Sequence, residues 1–371
     1  MYYFDHSATT PIHHDVLYLM NEIQRNVYGN PSSVHQLGRK ARSTIETARK
    51  QVAKSIGAKP NQIIFTSGGT EANNHVLWSR LGQKNNHVVT DEIEHPAVLK
   101  VLQNLSSIGL EHDLVSVDDK GCVSINEIEM AISEKTGLVS VMLANNEVGT
   151  IQPIQKIVEI ANKQEVLVHT DAVQCLGKML INVVELDIDF LSLSAHKFYG
   201  PKGIGILFVK DCSVLSSFII GANQENALRA GTENIASIAG MGLAAELATL
   251  ELENHIQHLN ELETQFKIGL TSFFKDAIFN GDPKNKLPGL ISVSFPGFRS
   301  DILMTKLDRA NMAVSSGSAC GSGNIKPSAI LSAMGIDEET NISTLRISFG
   351  TSNTCVEVDL LLAELELLLS N

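Results

Sequence analysis

No two cysteines in this chain are spaced as CxxC. The five present, Cys122, Cys175, Cys212, Cys320 and Cys355, are odd in number and widely scattered. That spacing argues against a zinc ribbon, a thioredoxin-like redox pair or a disulfide framework, and no structural metal site is expected. A basic excess is also missing. The chain carries 29 Lys and Arg against 41 Asp and Glu, a formal net charge of -12, whereas a nucleic-acid binder usually shows a basic surplus or stripe. No apolar run approaches the ~18 residues that cross a bilayer. The opening residues MYYFDHSATTP lack the basic and apolar regions of a signal peptide. There is no internal repeat and no low-complexity linker. These absences predict a reduced, cytoplasmic protein with free thiols, no membrane contact and no direct nucleic-acid contact.

What is present is alternation. Short β-branched runs predict strands over 62–66, 87–90, 113–117, 138–143, 166–169, 190–194 and 205–209. Amphipathic stretches predict helices between them over 70–79, 97–107, 125–133 and 154–163. Strands alternating with helices imply a mainly parallel sheet covered on both faces, with ligands outside the carboxyl ends of the strands. The pattern then changes to one long helical region over 235–275, strands over 291–295 and 345–349, and helices over 301–309 and 356–369. The expected fold is α/β, a large domain over 15–250 and a smaller α+β domain formed by 1–14 with 251–371.

Five segments sit where that rule expects a ligand. SAHKFYGPKGIG follows a strand, so Ser194, His196 and Lys197 leave its carboxyl end together. A lysine there can form a Schiff base with an aldehyde if it is held unprotonated, and Ser194 and His196 can donate to a phosphate. HTDAVQ ends another apolar run; Asp171 can hold a pyridine nitrogen protonated and Gln174 can donate to a ring hydroxyl. In TSGGTEANN, Gly68, Gly69 and Thr70 open a helix whose amides suit a phosphate. No GK[ST] follows, so this is not a P-loop. DEIEHPAV places His95, a flat ring that can stack or move protons, just after a strand. NNEVG places Asn145 and Asn146 after another.

The last feature is SSGSACGSGN around Cys320. Small residues on both sides predict a flexible, exposed segment, an unusual setting for a residue type that is normally buried. The reading is a nucleophile that must travel. An ordinary thiol has a pKa of about 8.5, so it needs a nearby cation or pocket to react quickly.

Together these residues resemble the cysteine desulfurases of the nitrogen-fixation and iron–sulfur cluster assembly type. FDHSATTP, YGNPSSVH, TSGGTEANN, EHPAV, NNEVG, HTDAVQ, SAHKFYGPKGIG, RAGTEN, SSGSAC and LRISFG follow in that family's order. The resemblance implies fold type I of the pyridoxal-phosphate enzymes (aspartate aminotransferase-like), pyridoxal 5'-phosphate as cofactor, L-cysteine as substrate and a homodimer. It implies that Lys197 carries the cofactor, Asp171 and Gln174 meet its ring, and His95 stacks on it and transfers protons. Gly69, Thr70, Ser194 and His196 would hold the phosphate, and Thr232 would reach the phosphate of the partner subunit. Asn146 and Arg346 would hold the substrate carboxylate. Cys320 would accept the sulfur as a persulfide and could transiently ligate an iron–sulfur cluster.

Two departures stand out. GANQENALRAGT, over 221–232, has Ala222, Asn223, Asn226 and Ala230 where the family usually has glycine, glycine, arginine and serine. The chain also stops at Asn371, soon after its last helix, without the tail that housekeeping relatives bring to a cluster scaffold. The sulfur acceptor is therefore open among iron–sulfur scaffolds, tRNA-thiolation enzymes and cofactor pathways. Selenocysteine lyase or another fold type I enzyme is the alternative activity. A catalytically silent relative would lack Lys197, Asp171 or Cys320, and all three are present.

Overall fold

A computed structural model describes residues 1–317 and 326–370. Its centre is a seven-stranded sheet in the order Ile63–Thr66, Gly205–Val209, Phe190–Ser194, Leu167–Asp171, Thr136–Ser140, His87–Asp91 and Glu111–Val115. Six strands point one way and Gly205–Val209 runs against both its neighbours. Successive side chains of the inner strands enter opposite apolar layers. Leu191 and Leu193 pack with Ile45, Val52 and Met241, whereas Phe190 packs with Val76, Val98 and Leu102. A strand buried on both faces reads as a continuous apolar run, which is why GILFV was legible.

The helices Gly69–Trp78 and Pro96–Ser106 cover one face, and Gln36–Ser55, Ile154–Asn162 and Ile235–Leu250 cover the other. A second apolar cluster lies around a three-stranded antiparallel sheet of Ile278–Asn280, Leu290–Ser294 and Thr344–Ser348. The helices Leu252–Phe273 and Cys355–Leu369 pack against it, and Phe4 is buried in the same cluster. Tyr2–Tyr3 pairs in parallel with Met312–Ala313, and Asp5 bridges to Ser348.

Three expectations are corrected. The region over 235–275 is two helices, bent by 71° at a break beside Glu251. The strand expected over 113–117 is Glu111–Val115, because its register follows the parallel neighbour His87–Asp91 and not its own apolar residues. The strand expected over 138–143 ends at Ser140, although the buried backbone continues to bond Val141 N to His169 O and Leu143 N to Asp171 O. The helices His14–Asn26 and Gln36–Ser55 were not foreseen.

Candidate active site

A cavity of about 370 Å³ opens at the carboxyl ends of the parallel strands. Ser7, Gly69, Thr70, His95, Asn146, Asp171, Gln174, Ser194, His196, Lys197 and Arg346 line it, so segments far apart in sequence converge on one site. Lys197 closes a single 3-10 turn, Ala195–Lys197, directly after Phe190–Ser194. The chain then reverses into Gly205–Val209, and Gly205 is forced by space. A Cβ there would lie 2.5 Å from Leu193 O and 2.7 Å from Gly68 Cα, so the lysine loop and the phosphate-type loop can touch only at a bare backbone.

Lys197 Nζ donates to Ser7 O at 2.5 Å and to Ala8 O at 2.9 Å. Burial drives its proton off, and the positive charges of Lys178 and Arg346 add to this against Asp171 and Asp5, bringing its pKa to about 7. An amine so placed is substantially neutral near physiological pH, the form that bonds to a carbonyl carbon. Asp171 is 9% exposed and its carboxylate is fixed at both oxygens. Oδ2 accepts from Asn73 Nδ2 at 2.6 Å and Oδ1 accepts from Val173 N at 3.0 Å. His95 caps Pro96–Ser106: its Nδ1 accepts from Ala97 N at 3.0 Å, which puts the ring proton on Nε2. Burial keeps that ring below the ordinary histidine pKa, against Asp171, which pulls it up, and with Lys197, which pushes it down. His196 is pushed to about 4 by burial, then by Lys197 and Lys202, so it too is neutral. Its Nδ1 meets Thr9 Oγ1 at 3.1 Å.

The helix Gly69–Trp78 has no side-chain cap at Gly68, which leaves its first amides for an anion. At Gly69 the constraint is softer: a Cβ there would lie 2.5 Å from Val173 Cγ2, a side-chain methyl that would have to shift. Arg346 is 9% exposed. Its Nη2 donates to Asp5 Oδ1 at 2.9 Å and its Nη1 to Asn146 O at 3.1 Å. Among the described residues, Arg346 Nε and Asn146 Oδ1 are buried without hydrogen-bond partners. Such orphaned polar atoms are rare unless a bound group satisfies them.

Pyridoxal phosphate fits this donor set on chemical grounds. There is an unprotonated lysine, a fixed carboxylate, a neutral imidazole and an uncapped helix start with serine and threonine beside it.

One expected residue lies elsewhere. Thr232 lines a separate recess with Ser67, Gly203, Glu225 and Arg229. Cys320 lies outside the described residues. On one side of its segment, Ser315 exchanges backbone hydrogen bonds with Arg346, and on the other, Ser328 Oγ donates to Glu147 at 2.6 Å. Asp5, Ser7 and Asn73 were not singled out from sequence. Ser7 acts through a backbone oxygen that carries no residue signature, and Asn73 stood unremarked inside TSGGTEANN.

The aminotransferase class-V family profile matches residues 2–361. "Cysteine desulfurase IscS" of Dictyoglomus turgidum is 42% identical over 367 residues, covering 98% of this chain and 93% of that protein. The mitochondrial cysteine desulfurase of Saccharomyces cerevisiae is 41% identical over 363 residues, covering 96% of this chain and 72% of its own. Among solved structures, a NifS-like protein superposes with a TM-score of 0.94 at 38% identity, covering 100% of this chain and 99% of that one. SspA in complex with cysteine superposes at 0.82 and 34%, covering 95% of this chain and 100% of that one. The chain belongs to the aminotransferase class-V family, among its pyridoxal-phosphate-dependent cysteine desulfurases.

Proposed function

We propose that this cysteine desulfurase takes sulfur from L-cysteine onto Cys320, leaving L-alanine, and that it works as a homodimer. The observation that carries the reading is the convergence of a neutral Lys197, a fixed Asp171 carboxylate and a half-satisfied Arg346 in one cavity. When bound, pyridoxal phosphate supplies an electron sink for the substrate carbon.

The rest falls to the chain. Lys197 would hold the cofactor covalently, and when substrate takes its place the neutral Nζ is a base for the substrate's Cα proton. Asp171 would hold positive charge on the ring nitrogen, and Asn73 holds Asp171 in place. Gln174, Ser194, His196, Thr70 and the Gly69 amide would orient the ring and phosphate. Arg346 and Asn146 would hold the carboxylate, the arginine through a guanidinium that Asp5 already fixes. His95 would cover the ring and manage a thiol proton through Nε2.

Cys320 would act as thiolate. Its sulfur bonds to the substrate sulfur as the carbon–sulfur bond breaks. The bond pair leaves with the carbon, which takes a proton and departs as alanine. The recipient of the persulfide sulfur would be a protein of iron–sulfur cluster, tRNA-thiolation or cofactor assembly, and the proposed location is the cytoplasm.

The test is a single turnover of Cys320→Ser with excess cysteine, scored for alanine per subunit and for an added sulfur atom by mass spectrometry. We expect neither product. Full alanine release, or a persulfide on Cys122, Cys175, Cys212 or Cys355, would overturn the assignment.

A further inference from the structure

A second buried lysine belongs to the same hydrogen-bonded chain as Lys197. Ser7 O accepts from Lys197 Nζ at 2.5 Å and from Gln174 Nε2 at 3.0 Å. At its other end, Gln174 Oε1 accepts from Lys178 Nζ at 3.5 Å. Lys178 is 9% exposed, and among the described residues no carboxylate lies within 4.0 Å of its ammonium. With Lys197 it lines a small cavity beside Tyr199 and His6. His6 offers no counter-charge. Burial, then Lys178, pushes its pKa to about 4.

Among the described residues, the charges acting on Lys197 can be named. Lys178 and Arg346 oppose its proton, Asp171 and Asp5 favour it, and the neighbouring His95 and His196 stay neutral. The two acids are already engaged, Asp5 by Arg346 at 2.9 Å and Asp171 by Asn73 at 2.6 Å. Among the described residues Lys178 has no such partner; burial disfavours its charge, the neighbouring Cys175 favours it and Arg346 opposes it.

We infer that Lys178 is a positioning residue for this reaction: its buried, uncompensated charge, set against Lys197 through Gln174 and the Ser7 carbonyl, keeps the Lys197 amine free of its proton. The inference rests on the proposed role of Lys197 and adds the group that tunes it. A second cation is one of the two ways a lysine is made nucleophilic, the other being burial, and here both operate. The order of titration is the one the device needs. Burial pushes both lysines down, Lys197 to about 7 and Lys178 to about 8, and the device requires the outer lysine to keep its charge where the inner one has lost its own.

Lys178→Met should raise the Lys197 pKa, because it deletes a repelling charge. The acid limb of the kcat–pH profile should then move up by about one pH unit, a roughly tenfold loss of rate on that limb that vanishes at high pH. Lys178→Arg should restore the limb. An unmoved limb in a folded Lys178→Met protein overturns the inference. A measurement on the unaltered full-length chain guards against misfolding. After cofactor removal, competitive acetylation at a series of pH values, with peptide mapping, should show Lys197 becoming reactive at lower pH than Lys178. The opposite order overturns the inference, since a neutral Lys178 repels nothing. Borohydride fixation of pyridoxal phosphate followed by peptide mapping tests the Lys197 assignment separately: fixation at Lys197 with the wrong titration order sinks only the role of Lys178.

Discussion

Asp171 shows how much a single side chain is asked to do. Its two oxygens are held by Asn73 and by the Val173 amide, so the carboxylate cannot turn away from the ring nitrogen it would face. Asp171→Asn keeps the shape, and the amide oxygen can still accept from Val173 N, but the charge is gone. We expect the cofactor to stay bound and kcat to fall ~10²–10³-fold, the usual cost of losing one preorganised electrostatic partner. An unchanged kcat would reduce Asp171 to a cap on the following turn. Gly69→Ala tests the opposite kind of constraint. Its Cβ would press on Val173 Cγ2 at 2.5 Å, beside the helix start proposed to hold the phosphate. Weaker cofactor affinity, read by equilibrium dialysis, is the expected result. At this scale the sequence was informative wherever chemistry resides in a side-chain type just after a strand, as in Lys197 and His95, whereas Arg346, in the middle of Thr344–Ser348, was reached only through the family resemblance. The sequence was silent wherever a backbone oxygen acts, as with Ser7 and Ala8.

Among the elements, the helix pair Gln36–Ser55 and Ile235–Leu250 owes its closeness to glycine. A Cβ on Gly242 would lie 2.6 Å from Ala48 Cα, a backbone atom that cannot swing aside. Gly242→Val should therefore force the helices apart and cost at least ~1–3 kcal/mol, seen as a lower Tm. Neither partner was easy to read as an element. Gln36–Ser55 is mostly polar, with apolar residues confined to one side, and Ile235–Leu250 is apolar nearly all round, so its run continued into Leu252–Phe273 without a visible stop. The inner strands posed no such problem because both faces are buried.

The loop carrying Glu147 adds a pH-dependent element. Burial raises its carboxyl to about 7, against the Ser328 hydroxyl and the Arg346 charge, which lower it. A raised folded-state pKa means that the folded protein binds the proton more tightly than the unfolded chain. Stability from this group is thus full below the unfolded value of about 4.3 and is lost as pH rises through about 7. Glu147→Gln keeps an acceptor for Ser328 and should flatten the dependence of Tm on pH across that window. An unchanged slope would mean that Glu147 is ionised in the fold.

On the scale of the whole molecule, Thr232 is the residue that one chain leaves unexplained. RAGTEN resembles the family's intersubunit segment, yet Thr232 lines a recess apart from the cavity that holds Lys197. No pattern within one chain could reveal that separation, because sequence spacing says nothing of which copy a loop serves. If the homodimer is right, each site takes its lysine from one chain and its threonine from the other. Mixing two damaged proteins can decide it. Thr232→Val and Lys197→Ala chains are unfolded together in equal amounts, refolded and reloaded with cofactor. In a mixed dimer, the site with an intact Lys197 then receives the intact Thr232 of its partner, while the other site collects both lesions. Half the dimers should be mixed with one whole site each, so roughly a quarter of all sites should regain normal turnover. If Thr232 instead serves the lysine of its own chain, no site is made whole. The mixture would then show only the activity that its Thr232→Val chains already had. Alanine formed per subunit distinguishes the two outcomes, provided that Thr232→Val alone is measurably impaired. If it is not impaired, Thr232 makes no contact that matters to turnover, and its assignment to the phosphate fails.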